Sequence, residues 1–129
     1  MIDNIKKVLL VDDDQNIRMV VQMTLEGLTE WKVVTAESGK AAIDTAPKEK
    51  PDLIMLDVMM PEMDGPTTFM QLQKNPALQG IPVIFMTAKI QTHELEDYLK
   101  LGAAGIISKP FDPMTLPDEI AKILGSTKN

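Results

Sequence analysis

Five short apolar runs recur along the chain with longer amphipathic stretches between them, and this alternation restricts the possible folds most strongly. The runs are rich in Val, Ile, Leu and Met, which is typical of strands buried on both faces of a sheet. Strands that alternate with helices imply a parallel sheet with right-handed connections and helices on both faces. The predicted strands are Val8–Val11, Trp31–Thr35, Leu53–Leu56, Val83–Met86 and Gly105–Ser108.

The stretches between the apolar runs carry the start and stop signals of helices, namely capping side chains, proline and glycine. The predicted helices are one capped by Asp14, one capped by Ser38 and ended by Pro47, one opened by Gly65–Pro66, one over residues 91–101 ended by Gly102, and one from about Asp112–Pro113 to Leu124. Pro117 lies inside the last helix and favours a start a few residues later, because proline is best tolerated in a first turn. The sequence therefore predicts an α/β fold, a doubly wound five-stranded parallel sheet with five helices.

Composition narrows the functional classes. The 129 residues suffice for one domain, predicted to span 1–129 with a core of about 6–125. A net charge of −6 and an isoelectric point near 4.7 disfavour direct binding of nucleic acid. The absence of cysteine excludes disulfides and thiolate metal sites. No apolar run approaches the ~18 residues of a membrane helix, and no signal-peptide core opens the chain. We therefore expect a cytoplasmic protein without membrane contact.

Polar side chains follow the predicted strands at the point where each strand ends. These residues are Asp12, Asp13, Asp57, Thr87 and Lys109. Because the carboxyl ends of parallel strands meet at one edge of the sheet, we expect these side chains to lie close together. Carboxylates this close favour a bound cation, and hard oxygen ligands suit Mg²⁺. The lysine could pair with Asp57 or with an incoming phosphoryl oxygen, and the threonine could donate a hydrogen bond to the same group. The pattern favours transfer of a phosphoryl group to Asp57.

Four segments at these strand ends resemble the receiver domains of two-component response regulators. The segments are "LLVDDDQNIR", "DLIMLDVMMPEMDG", "VIFMTAK" and "GIISKPFDP", and they match the order and spacing of that family's motifs over roughly residues 6–125. The resemblance implies a flavodoxin-like fold with strand order 2-1-3-4-5. It also implies a cis peptide bond between Lys109 and Pro110.

Site roles follow from the same resemblance. Asp57 would be the phosphoacceptor, with Lys109 holding a phosphoryl oxygen and Thr87 hydrogen-bonding the same group. Asp13 and Asp57 would bind Mg²⁺ directly, Asp12 would assist through water, and the backbone carbonyl of Met59 would be the last protein ligand. Asp14, by contrast, is better explained as a helix N-cap than as a metal ligand. No enzymatic activity is expected beyond Mg²⁺-assisted self-phosphorylation and autodephosphorylation.

The resemblance also implies partners and a mode of output. The phosphoryl donor would be a histidine kinase or a histidine phosphotransfer protein. A downstream protein would bind the face formed by the fourth helix, the fifth strand and the fifth helix, including Tyr98, while the chain itself remains a monomer or a weak dimer. Ile106 stands where receivers usually carry an aromatic residue, and isoleucine has no ring to bury. We therefore expect a switch to run through Thr87 and residues 88–100.

Two alternatives remain open from the sequence. One is a receiver-like scaffold that binds a partner without being phosphorylated. The other is a receiver excised from a longer regulator that carries an effector domain. The tail "GSTKN" has no linker character and favours a stand-alone protein. An aspartate-nucleophile phosphatase is disfavoured because Met59 occupies the position of its second acid.

Overall fold

The computed structural model describes residues 5–88 and 92–126, and all statements about structure refer to these residues. They form five parallel strands and five helices. The strands are β1 (Lys7–Val11), β2 (Lys32–Ala36), β3 (Leu53–Asp57), β4 (Val83–Thr87) and β5 (Gly105–Ser108). The helices are α1 (Gln15–Leu28), α2 (Gly39–Glu49), α3 (Gly65–Gln73), α4 (Thr92–Leu101) and α5 (Leu116–Ser126). Short 3₁₀ turns occur at Pro76–Leu78 and Pro113–Thr115.

The sheet has the strand order β2-β1-β3-β4-β5, as the resemblance implied. The order reverses at β1, which is a feature of doubly wound α/β folds and opens a crevice at the carboxyl ends of the strands. The predicted α/β class, the five strands and the strand order are therefore confirmed.

Two apolar cores lie on opposite faces of the sheet, because successive side chains of a strand point to opposite sides. Leu9 and Val11 of β1 belong to the core that α2 and α3 cover. Val8 and Leu10 belong to the core that α1 and α5 cover. All four side chains are fully buried, which explains why β1 reads as an unbroken apolar run. Burial on both faces holds the sheet rigid beneath its carboxyl edge.

The helix caps agree with the sequence signals. Asp14 and Ser38 accept hydrogen bonds from backbone N–H groups in the first turns of α1 and α2. Asp64 caps α3, with Pro66 in the first turn. At the end of α4, Gly102 has a φ of +116°, which suits glycine, and the N–H groups of Gly102 and Ala103 satisfy carbonyls of the last turn.

Several predicted boundaries were wrong by one residue: β1 begins at Lys7, β2 ends at Ala36, β3 ends at Asp57 and β4 ends at Thr87. Two other boundaries were wrong for a physical reason that the structure shows. The helix α2 does not end at Pro47 but continues to Glu49, because proline removes only its own N–H from the helical ladder. Lys50 then ends the helix in the left-handed region, and its N–H still bonds the carbonyl of Ala46. The second strand begins at Lys32 rather than Trp31, because the hydroxyl of Thr29 accepts the N–H of Trp31.

Smaller differences concern the last two helices. The predicted start of α4 at residue 91 lies outside the described residues. The late start of α5 is confirmed, since it begins at Leu116 with Pro117 in its first turn and extends two residues beyond Leu124. Within residues 5–88 and 92–126, no helix has the length and apolar character needed to cross a membrane.

Candidate functional site

The carboxyl ends of four strands place the predicted site residues along one edge of the sheet. Asp12 directly follows β1, Asp57 ends β3, Thr87 ends β4 and Lys109 directly follows β5. The register of β3 and β4 aligns these ends, because Asp57 lies opposite Met86 and Thr87 directly follows Met86. The sequence prediction that these residues gather at one edge is confirmed as a matter of placement.

Lys109 bridges two buried carboxylates. Its Nζ lies 2.8 Å from Oδ2 of Asp12 and 3.2 Å from Oδ1 of Asp57. The side chains of both acids are almost completely inaccessible to solvent. Buried charges of this kind are tolerated only when they are paired. The sequence suggested that Lys109 could pair with Asp57, and the structure adds Asp12 as its closer partner.

Four polar groups of Asp12, namely its N–H, both carboxylate oxygens and its carbonyl oxygen, make hydrogen bonds. Its N–H donates to the carbonyl of Ala36 at 3.1 Å, and its Oδ1 accepts the N–H of Asp14 at 2.9 Å. Its Oδ2 accepts from Lys109, and its carbonyl oxygen accepts from Nη1 of Arg18 at 2.8 Å. The orientation of Asp12 is therefore fixed by contacts from several separate parts of the fold.

Asp12, Asp13 and Asp57 form a carboxylate cluster. Each offers one oxygen, and these oxygens lie within 4.8 Å of one another. Asp13 is the exposed member, whereas Asp12 and Asp57 are buried. Three carboxylates face one lysine ammonium, so the cluster keeps an excess of two negative charges when all its groups are ionised. Hard oxygen donors and this charge balance fit a divalent cation such as Mg²⁺.

The environment shifts the acidity of two members of the site. Burial, followed by the charge of Asp12, raises the pKa of Asp57 from 3.8 to about 6, although Lys109 opposes the shift. Burial alone would lower the pKa of Lys109, but its hydrogen bond with Asp12 and the charges of both acids outweigh burial and raise it. In the metal-free protein, Asp57 is therefore a carboxylate whose charge the fold accommodates poorly, beside a lysine that stays protonated.

An open cavity leads to Asp57. It has a volume of about 230 Å³ and is lined by Asp12, Asp13, Asp14, Asp57, Met59, Ala88 and Lys109. Met59 lies at this opening with 74% of its surface exposed, whereas Asp57 is only 4% exposed. Asp57 is thus shielded from bulk water yet can be reached from one side, which suits a group that must react with a docked partner.

The loop between β3 and α3 turns back tightly behind Asp57. The N–H of Gly65 donates to the carbonyl of Val58 at 2.8 Å. A Cβ added at Gly65 would collide with the carbonyl oxygen of Asp57 and lie 2.9 Å from the Cα of Val58. Glycine is therefore required at this position because the backbone of α3 approaches the backbone of the candidate phosphoacceptor so closely.

Thr87 and the peptide bond after Lys109 complete the edge. Thr87 is buried, and its backbone carbonyl accepts the N–H of Lys109 at 2.8 Å. This bond ties the end of β4 to the residue that bridges the acids. The Lys109–Pro110 peptide bond is cis, as the resemblance implied.

Sequence reasoning missed Arg18. It is the fourth residue of α1, and its side chain reaches back to the carbonyl of Asp12. Helical side chains tilt toward the N-terminus of the helix, so a long cationic residue six positions after Asp12 was the available signal. Asp14, in contrast, accepts hydrogen bonds from the N–H groups of Asn16 and Ile17 and is the N-cap that the sequence predicted.

Known proteins are similar in sequence to nearly the whole chain. A family model described as "Response regulator receiver domain" matches residues 8–121. The chain is 38% identical over 119 residues to the alkaline phosphatase synthesis transcriptional regulatory protein PhoP of Bacillus subtilis (strain 168), covering 92% of this chain and 48% of that protein. It is 34% identical over 116 residues to the response regulator Rre1 of Synechocystis sp., covering 90% of this chain and 50% of Rre1.

Solved structures show the same fold. The chemotaxis protein CheY4 of Vibrio cholerae superposes with a TM-score of 0.86 at 31% identity, covering 92% of this chain and 98% of CheY4. A response regulator from Chloroflexus aurantiacus superposes with a TM-score of 0.83 at 28% identity, covering 95% of this chain and 99% of that protein. The chain thus spans about half the length of the two sequence relatives but nearly the full length of these two structures.

Proposed function

This chain belongs to the family of response regulator receiver domains, and we propose that it accepts a phosphoryl group on Asp57 from a histidine kinase or a histidine phosphotransfer protein. The observation that carries the proposal is the bridge from Lys109 to Asp12 and Asp57 at the carboxyl edge of the sheet. Phosphorylation of an aspartate is the general function of the family. The choice of Asp57 rests on its burial at a strand end beneath an open cavity.

The residues of the site have separate roles in the proposed reaction. A carboxylate oxygen of Asp57 forms the new O–P bond, the P–N bond of the phosphohistidine breaks, and the imidazole nitrogen leaves with the electron pair. Lys109 neutralises charge on a phosphoryl oxygen by exchanging its 3.2 Å contact with Asp57 for that oxygen. The hydroxyl of Thr87 donates a hydrogen bond to the phosphoryl group. In the second half of the cycle, water attacks the phosphorus and the P–O bond to Asp57 breaks. Asp57 leaves as a carboxylate, and the product is inorganic phosphate that keeps the protons of the water.

Receiver domains generally bind Mg²⁺ at an acidic cluster, and the residues that would hold it here are Asp12, Asp13, Asp57 and the backbone carbonyl of Met59. The spacing of the three carboxylates and their oxygen chemistry support this assignment. When bound, the ion supplies positive charge that offsets the carboxylates and the incoming phosphoryl oxygens. The self-phosphorylation and autodephosphorylation steps belong to this proposal, and we assign the chain no other enzymatic activity.

The proposed output is a protein contact on the α4–β5–α5 face in a cytoplasmic signalling pathway, without direct contact with nucleic acid or membrane. Tyr98 of α4 packs edge-on against Phe85 of β4 at 5.1 Å, two residues before Thr87. This ring contact supports transmission of a change at Thr87 to α4. Leu99 and Leu101 are exposed on the same helix and offer apolar area to a partner. We propose that the chain is a monomer or a weak dimer.

Phosphoryl incorporation tests the proposal directly. Incubation with acetyl phosphate and Mg²⁺ should add one phosphoryl group by intact-mass spectrometry, and Asp57→Asn should abolish the addition because an amide is a far weaker nucleophile. Asp44→Asn, an exposed change on α2, serves as the matched control and should incorporate normally. Full incorporation in Asp57→Asn would place the phosphoacceptor elsewhere.

Two alternatives give different results in the same assay. A receiver-like scaffold would bind its partner yet take up no phosphoryl group with either acetyl phosphate or a phosphohistidine donor. A receiver excised from a longer regulator would incorporate the group normally. Both sequence relatives described above are about twice as long as the part that this chain matches.

A further inference from the structure

Arg18 contacts the acidic loop at both of its ends. Its Nη1 donates to the carbonyl of Asp12 at 2.8 Å, and its backbone N–H donates to the carbonyl of Asp14 at 3.1 Å. The side chain is half-buried and lies beside a cavity that also adjoins Thr35 and Ala36 at the end of β2. Arg18 therefore connects the acidic loop between β1 and α1 to the body of α1.

The hydrogen bond from Arg18 holds the backbone carbonyl of Asp12. The N–H of Asp12 is bound by Ala36, and its carboxylate is bound by Asp14 and Lys109. The carbonyl of Asp12 shares a rigid peptide plane with the N–H of Asp13. Fixing that carbonyl therefore fixes the direction in which the chain enters Asp13. A hydrogen bond from a charged donor is about twice as strong as a neutral one, so the constraint is substantial.

Asp13 depends on this constraint more than its neighbours do. It is the exposed member of the carboxylate cluster, whereas Asp12 and Asp57 are buried and both contact Lys109. The position of the Asp13 carboxylate relative to the other two therefore depends on the backbone that carries it as well as on its side-chain contact with Asp57. A change of orientation at the Asp12–Asp13 peptide would separate the three oxygens that lie within 4.8 Å of one another.

We propose that Arg18 is a positioning residue for the acidic site, in that its hydrogen bond to the Asp12 carbonyl orients Asp13 for binding a divalent cation and hence for phosphoryl transfer. The proposal rests on the function proposed above. Arg18 contacts neither the cation nor the phosphoryl group in this role and acts through the backbone of Asp12 and Asp13.

Four variants separate positioning from general structural support. Arg18→Met keeps an unbranched apolar stem but removes the donor and the charge, and Arg18→Lys keeps a charge and one donor. Gln22→Met, one turn along α1, removes a comparable side-chain hydrogen bond to the carbonyl of Val33 at 3.2 Å, which does not touch the acidic loop. Lys40→Met removes one positive charge from an exposed position on α2.

Calorimetric titration of the folded protein with Mg²⁺ is the first measurement. Arg18→Met should raise the dissociation constant about tenfold, at the low end of the effect of outer-shell partners on metal affinity. Arg18→Lys should recover most of the affinity, and Gln22→Met and Lys40→Met should leave it unchanged. Urea unfolding without Mg²⁺ should show a loss of stability in both Arg18→Met and Gln22→Met, so that lost stability alone does not explain a change in Mg²⁺ affinity.

Amide hydrogen exchange in metal-free protein is the second measurement and does not depend on phosphoryl chemistry. Arg18→Met should speed exchange of the Asp14 N–H, which donates to Asp12, whereas Gln22→Met should not. Unchanged exchange at Asp14, or equal losses of Mg²⁺ affinity in Arg18→Met and either control, would overturn the role of Arg18. Failure of the unaltered protein to bind Mg²⁺ while exchange responds as expected would instead overturn the proposed function.

Discussion

Replacement of Asp57 by asparagine should stabilise the metal-free protein. The fold raises the pKa of this carboxyl from 3.8 to about 6, chiefly through burial and the charge of Asp12. Each pKa unit corresponds to about 1.4 kcal/mol, so the ionised carboxylate costs the folded state about 3 kcal/mol at pH 8. Asparagine has nearly the same shape and carries no charge, and its side-chain oxygen can still accept from Lys109. We therefore expect Asp57→Asn to raise the free energy of unfolding by about 2–3 kcal/mol at pH 8.

The pH dependence follows from the direction of this shift. Because the folded state holds the Asp57 proton more tightly than the unfolded state, the cost is fully present above about pH 7 and fades as the pH falls from 6 toward 4. At pH 5 the stability advantage of the asparagine variant should shrink to about half of its value at pH 8. The measurement is urea unfolding followed by circular dichroism, in the presence of a chelator, at pH 8 and pH 5.

Two controls accompany this measurement. Asp44→Asn removes one negative charge at an exposed position on α2 and should change stability by less than about 0.5 kcal/mol at either pH. Saturating Mg²⁺ should reduce the difference in free energy of unfolding between the unaltered protein and Asp57→Asn, because the ion stabilises the folded state that binds it. An asparagine variant no more stable than the unaltered protein at pH 8, or an advantage that grows toward pH 5, would refute this account of the cluster.

Three further pairs of substitutions test particular contacts. Gly65→Ala should lower the free energy of unfolding by about 1–3 kcal/mol, because the new methyl group meets the backbone of Asp57. Gly27→Ala, in open space on α1, should raise the free energy of unfolding by about 0.5–1 kcal/mol. Equal effects of the two changes in urea unfolding would contradict the close approach of Gly65 to Asp57. Lys109→Ala should leave Asp12 buried without its ammonium partner and lower the free energy of unfolding by about 3–5 kcal/mol. Lys109→Arg should not restore phosphoryl incorporation from acetyl phosphate, because a planar guanidinium does not replace a point charge in this site. Asp14→Ala should lower the free energy of unfolding by about 1 kcal/mol through loss of the N-cap and leave the affinity for Mg²⁺ unchanged. Asp13→Ala should weaken Mg²⁺ binding. Equal losses of Mg²⁺ affinity in the two variants by calorimetric titration would contradict the assignment of Asp14 as a cap and Asp13 as a ligand.

The sheet was predictable because burial on both faces leaves a strong trace in the sequence. Val8 to Val11 are apolar without interruption, since alternate residues enter the two different cores. Helix ends were harder to predict, because they depend on where the last carbonyls find partners. Pro47 looked like a stop, yet α2 runs on until the N–H of Lys50 binds the carbonyl of Ala46. The strand order came from resemblance, as pattern alone does not specify which strands pair.

The composition of the site and the pairing of Lys109 with Asp57 were predictable, but the contacts of Asp12 with Lys109 and Arg18 were not. The position of Asp12, Asp57, Thr87 and Lys109 at strand ends follows from parallel topology, in which these ends share one edge. The preference of Lys109 for Asp12, at 2.8 Å against 3.2 Å for Asp57, depends on the path of the chain after β5. The bond from Arg18 to a backbone carbonyl has no motif, because the acceptor is present in every residue.

The contact between Lys109 and Asp12 joins residues that are 97 positions apart in the sequence. They follow β5 and β1, which β3 and β4 separate in the sheet. Synthesis proceeds from the N-terminus, so all three carboxylates leave the ribosome long before the lysine does. A nascent chain that stops short of β5 carries the acids without their ammonium partner and cannot assemble the site. Lys109 can therefore pair with the acids only after the last strand has been added. A cut between β4 and β5 would place Lys109 and the three carboxylates on separate fragments.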